Sequence, residues 1–122
     1  MRVLVIDDEK SLADTLVMIL QRNGYEATCA YTGTEALEKI DSFRPDCVIS
    51  DVIMPGMIGT ELCAKIESRL PDCRILLFSG QGSTTEMIES ARANGYSWEL
   101  LPKPMDPREL LEKLASLHAP KS

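Results

Sequence analysis

Short, unbroken apolar runs alternate along this chain with stretches whose apolar residues recur every three to four positions. That alternation restricts the fold more than any other feature. Val3-Leu4-Val5-Ile6, Ala27–Tyr31, Cys47-Val48-Ile49, Ile75-Leu76-Leu77-Phe78 and Trp98–Leu101 read as five strands. Several carry no polar residue at alternate positions, the pattern of parallel strands covered on both faces. Between them, Leu12, Leu16, Ile19 and Leu20 share a helical face ahead of Gly24, a helix stop signal. Ala36, Leu37 and Ile40 mark a second helix, and Leu62 and Ile66 a third. Ser83-Thr84-Thr85-Glu86 has the spacing of a capping box and opens a fourth, with Met87, Ile88 and Ala91. Asp106-Pro107 supplies an N-cap and a first-turn proline for the last, with Leu110, Leu111, Leu114 and Leu117. Five strand-then-helix units predict an α/β domain with a doubly wound parallel sheet, right-handed crossovers placing helices on both faces. Periodicity does not give the order of the strands.

A length of 122 residues predicts a single domain over 1–122, with 119–122 as a short tail. The net charge of −6 and the scattered Lys and Arg argue against a nucleic-acid surface. No run approaches the ~20 apolar residues of a membrane span. The apolar stretch Val3–Ile6 meets Asp7-Asp8-Glu9 at once, unlike a signal peptide, so a cytoplasmic protein with no membrane contact is expected. The Met1 start and short tail favour a stand-alone protein over an excised domain. Cys29, Cys47, Cys63 and Cys73 form no C-x-x-C pair and have no histidine nearby in sequence, so they read as free thiols used as small hydrophobes.

The chemistry lies at the strand ends. Parallel strands align their C-terminal ends along one edge, so Asp7 and Asp8 after the first strand would meet Asp51 after the third and Lys103 after the fifth. Three carboxylates and a lysine suit a hard divalent cation and a phosphoryl group. A glycine-rich turn would cradle phosphate directly, whereas adjacent carboxylates repel it unless a metal intervenes, which decides against a dinucleotide-binding or P-loop reading. For Asp8 or Glu9 the plainer role is to cap the first helix, and Asp8 could serve both purposes. Asp51 could cap a turn or act as a nucleophile for phosphoryl transfer, with the metal and lysine neutralising charge on the phosphoryl oxygens.

Asp7-Asp8, Asp51-x-x-Met54-Pro55-x-Met57-x-Gly59, Ser79-Gly80 and Lys103-Pro104 together resemble bacterial response-regulator receiver domains. The match spans essentially the whole chain, and the four motifs together are highly specific. The resemblance implies a flavodoxin-like (βα)5 fold with strand order 2-1-3-4-5, for which a receiver protein is a standard example. It implies that Asp51 is phosphorylated by a phosphohistidine on a sensor histidine kinase or histidine phosphotransfer protein. Asp8 and Asp51 would bind Mg2+ directly, Asp7 mainly through water, and the Ile53 backbone carbonyl would complete the protein ligands. Ser79 would be the switch hydroxyl, Lys103 would pair with Asp51 and then with the phosphoryl group, and Lys103-Pro104 would be a cis peptide. Such a protein is a signalling switch in a phosphorelay, catalysing only its own phosphorylation and dephosphorylation. It would act on a downstream protein as a monomer or as a phosphorylation-dependent dimer.

Two features depart from that pattern. Leu100 stands where the family commonly has Tyr or Phe, and Pro102 lengthens the spacing between Gly95 and Lys103 by one residue. Trp98 therefore has two readings, a substitute for the coupling aromatic or a packing residue. Ile53, two after the acceptor, is apolar and predicts slow loss of phosphate, although Gln81, two after Ser79, could orient the hydrolytic water. The alternative function is a degenerate receiver that binds protein without phosphorylation. A flavin carrier would share the fold, but the chain lacks a Ser/Thr/Gly phosphate loop after the first strand and is poor in aromatic residues.

Overall fold

The computed structural model describes residues 1–51, 53–54, 57–79, 89, 92–95, 98–102 and 106–118. Its strands are β1 (Arg2–Ile6), β2 (Glu26–Ala30), β3 (Cys47–Asp51), β4 (Ile53–Met54), β5 (Met57–Ile58), β6 (Arg74–Ser79) and β7 (Glu99–Pro102). Its helices are α1 (Lys10–Arg22), α2 (Gly33–Phe43), α3 (Gly59–Arg69) and α4 (Pro107–His118). Five strands form one parallel sheet in the order β2-β1-β3-β6-β7. Leaving aside the two-residue antiparallel ribbon of β4 and β5, this is the expected order 2-1-3-4-5.

The continuous apolar strands are buried on both faces, as their composition requires. On one face Val3, Val5, Cys47, Ile49, Leu76 and Phe78 pack with Ala13, Leu16 and Leu20 of α1 and Leu110 and Leu114 of α4. On the other, Leu4, Ile6 and Val48 meet Ala36 and Ile40 of α2 and Leu62 and Ile66 of α3. Ala13 takes the central place on α1, while Ile19 is only half-buried. A small residue there lets the helix approach the sheet closely, which a count of large apolar side chains misses.

The helix ends follow local rules. Gly24 has φ of 90°, where glycine carries no Cβ penalty, and ends the turn after α1. The Thr32 side chain accepts from Glu35 N–H at 3.1 Å and caps α2. Asp106 accepts from Arg108 N–H at 2.9 Å at the start of α4, as Asp106-Pro107 predicts. Pro102 lies in a strand because β7 has only one neighbour, so a proline there need not break a ladder on both sides. The expected capping box Ser83–Glu86 lies outside the described residues, although Glu89, Arg92 and Ala93 are helical. Cys47, Cys63 and Cys73 are buried free thiols and Cys29 is half-buried. No helix among the described residues is long and apolar enough to cross a membrane.

Candidate functional site

The site begins at the C-terminal edge of the two central strands. Asp7 directly follows β1, and its N–H donates to the Ala30 carbonyl at 3.1 Å, continuing the pairing with β2 by one residue. Its side chain is fully buried, and Oδ1 accepts from Glu9 N–H at 3.0 Å. This bond closes the turn into α1. Glu9 occupies the N-cap position and makes no side-chain cap bond. The local closing role belongs to Asp7, then, and Asp8 is left exposed beside it.

Asp51 is the last residue of β3, half-buried and in register with Phe78. Ser50 before it is fully buried, and its Oγ–H donates to the Asp51 carbonyl at 3.0 Å. One carboxylate oxygen from each of Asp7, Asp8 and Asp51 falls within 4.8 Å of the others. Three acidic oxygens so close repel one another, and a divalent cation is the simplest charge that offsets them. The donor set is all oxygen, which favours Mg2+ or Ca2+ over zinc or copper. Ile53 lies in β4, two residues beyond Asp51.

Ser79 ends β6 opposite Pro102 of β7, one position beyond the partner of Asp51. The register thus brings the Ser79 backbone to the same edge as the three acids. Lys103 and Pro104, with the expected cis peptide, lie outside the described residues. Leu100 pairs with Leu77, two residues before Ser79, and packs on Cys63, Ile75 and Leu77. Trp98 joins the same cluster, and its Nε1–H donates to Glu67 Oε1 at 3.3 Å. Glu99, next to Trp98, is level with Leu76, three residues and about 10 Å before Ser79. That position fits the packing reading of Trp98.

Residues 3–115 match the model of the response regulator receiver domain. The chain belongs to that family. It is the receiver domain of a two-component response regulator, and receivers of this kind are phosphorylated by histidine kinases. The response regulator MprA of Mycobacterium avium (strain 104) is 37% identical over 117 residues, which are 96% of this chain and 50% of that protein. This receiver therefore spans about half the length of the curated relatives it matches. The chemotaxis protein CheY4 of Vibrio cholerae superposes with a TM-score of 0.82 at 34% identity, covering 94% of this chain and 96% of that one. A CheY-like receiver domain protein of Methanospirillum hungatei gives 0.85 at 31%, covering 95% and 91%.

Two features of this receiver, one local and one long-range, lie outside the expectations from sequence. Thr32-Gly33-Thr34-Glu35 has capping-box spacing that was legible. The contact of Tyr31 with Asp14 joins residues 17 apart, and no local pattern announces it.

Proposed function

We propose that this receiver is a phosphorylation switch in which Asp51 is the phospho-acceptor. Asp7, Asp8, Asp51 and the Ile53 backbone carbonyl hold Mg2+. The observation that carries the proposal is the meeting of three carboxylates from two strand ends within 4.8 Å, on an edge the Ser79 backbone also reaches. When bound, Mg2+ supplies positive charge that lets an anionic nucleophile approach an anionic phosphoryl group.

A carboxylate oxygen of Asp51 attacks phosphorus, and its O–P bond forms as the P–N bond to the donor imidazole breaks. Asp51 sits at the end of a rigid buried strand, so its position is set before the donor arrives. The Ser79 hydroxyl donates to a phosphoryl oxygen, and the Lys103 ammonium pairs first with Asp51 and then with the phosphoryl group. Water later cleaves the acyl phosphate, which restores the carboxylate and releases phosphate. The domain has no other substrate. Its partners are a sensor histidine kinase or histidine phosphotransfer protein upstream and a protein target downstream. Residues 1–122 act as one receiver unit with 119–122 as a tail, monomeric or dimerising on phosphorylation. Leu100 takes the position of the coupling aromatic, and Trp98 anchors the start of β7 to α3.

Intact mass after incubation with Mg2+ and acetyl phosphate tests this. One added phosphate is expected, absent in Asp51→Asn and in the metal-free control. If neither acetyl phosphate nor a phosphorylated histidine kinase leaves an adduct on metal-loaded protein, the switch is refuted and the domain acts by unphosphorylated protein contact.

A further inference from the structure

Lys10 and Asp14, one turn apart on α1, both contact Tyr31, the residue after β2. The Lys10 ammonium lies 5.5 Å from the centre of the Tyr31 ring, and the Tyr31 hydroxyl donates to Asp14 Oδ1 at 2.5 Å. The ring therefore lies lengthwise on the first turn of α1. From the sheet side, Cys29 Sγ sits 3.6 Å from the same Asp14 oxygen, and Tyr31 N–H donates to Glu35 Oε2 at 3.5 Å. The hydrogen bond to Asp14 raises the Tyr31 pKa above its ordinary value, so the phenol keeps the proton that makes the bond.

This cluster borders the turn that carries Asp7 and Asp8. Ala30, immediately before Tyr31, accepts the Asp7 N–H, and Asp7 in turn holds Glu9 N–H. The helix that follows has no side-chain cap at Glu9 and no acidic residue in its first turn. Its start is held locally through Asp7, itself one of the three acids. Repulsion among the carboxylates also pushes the Asp7-Asp8 turn away from Asp51. Contacts outside the acids oppose that push, and one that fastens α1 to the sheet edge adds to the proposed pairing of Lys103 with Asp51.

We propose that Tyr31, clamped by Lys10 and Asp14, is a positioning residue that fastens α1 to the end of β2 and so fixes Asp7 and Asp8 against Asp51. The inference rests on the metal-binding reading above and extends it to residues that touch neither metal nor phosphate. A ligand set held in place binds more tightly than one that must be gathered, and partners outside the ligands commonly govern affinity this way.

The test is the Mg2+ dissociation constant, taken from the Mg2+-dependent rise in Tm of the full chain without phosphodonor. Tyr31→Phe keeps the ring under Lys10 and loses only the hydroxyl, and is expected to weaken Mg2+ about threefold, less than direct loss of a ligand's own partner. Tyr31→Ala is expected to weaken it about tenfold. Asp14→Asn keeps an oxygen that can accept from the phenol and should stay within about twofold. Glu26→Ala breaks the Arg2–Glu26 pair at the far end of β2, and should change metal-free Tm without changing the Mg2+ constant. In phosphorylation by acetyl phosphate, Tyr31→Phe should raise the Mg2+ concentration for half-maximal rate and leave the saturating rate unchanged. Wild-type Mg2+ affinity in both Tyr31 variants overturns the clamp, and if Tyr31→Ala does not fold, Tyr31→Phe alone decides. Equal Mg2+ responses in wild type and Asp51→Asn would instead overturn the metal reading, and the clamp with it.

Discussion

Asp7→Asn separates the two demands on the acidic cluster, because it should stabilise the metal-free protein while weakening its grip on Mg2+. The amide oxygen can still accept from Glu9 N–H, so the turn into α1 keeps its bond. What disappears is one charge of three that lie within 4.8 Å. At that separation two unit charges repel by about 0.9 kcal/mol in water and about 3.5 kcal/mol at an effective dielectric of 20. Asp7 is fully buried but Asp8 is exposed, so the pair with Asp8 lies nearer the lower figure. Cations at the site and the new NH2 group, which needs a partner, offset part of the gain. A net stabilisation of about 1–2 kcal/mol is expected in EDTA at neutral pH, or a rise in Tm of about 4–8 °C. Urea unfolding with and without Mg2+ checks both signs. At a Mg2+ concentration 100 times the wild-type dissociation constant the wild type gains about 2.7 kcal/mol and the variant, whose affinity falls about tenfold, only about 1.4 kcal/mol, so most of the variant's lead is lost. A metal-free variant less stable than wild type by about 1 kcal/mol or more would refute the reasoning. The Asp7 charge would then be net favourable as it stands, and the cluster would have no need of a divalent ion.

Four further outcomes follow from particular residues. Burial raises the thiol pKa of Cys47 and Cys63 and pushes Cys73 up to about 12, so iodoacetamide should modify Cys29 alone in native protein and all four in urea. These thiols ionise sooner in the unfolded chain, so stability should fall as pH rises above about 8.5; a flat profile from there to about pH 10 would count against their burial. Asp106→Ala removes the side-chain bond to Arg108 N–H and should cost about 1 kcal/mol in urea unfolding, with phosphorylation by acetyl phosphate unchanged. Ile53→Asn places a polar group two residues after Asp51 and should shorten the lifetime of the phosphorylated state; an unchanged lifetime would shift the positioning of the hydrolytic water to Gln81.

Much of the fold is legible in the chain because its signals are local. Continuous apolar runs such as Val3–Ile6 mark buried strands, and Asp106-Pro107 marks the start of α4 from adjacent residues. The capping expectation for Asp8 misses because neighbouring acids compete for one N–H, and only three-dimensional geometry gives it to Asp7. The end of α2 is similarly obscure. Arg44 takes a left-handed conformation there with φ of 49°, a place where glycine is the usual signal.

The sequence by itself marked the five strands of the parallel sheet and the helices α1 to α4, and it put Asp7, Asp8, Asp51 and Ser79 at strand ends. It could do so because hydrophobic period and capping chemistry act over a few residues. The order β2-β1-β3-β6-β7 followed from resemblance, since periodicity is blind to which strand lies beside which. Only the tertiary structure decided how close the three acids come, that Trp98 settles against α3 by way of Glu67, and that Tyr31 lies along α1. Those are contacts between residues distant in sequence, fixed by the packing of whole elements rather than by any preference written into the segments themselves.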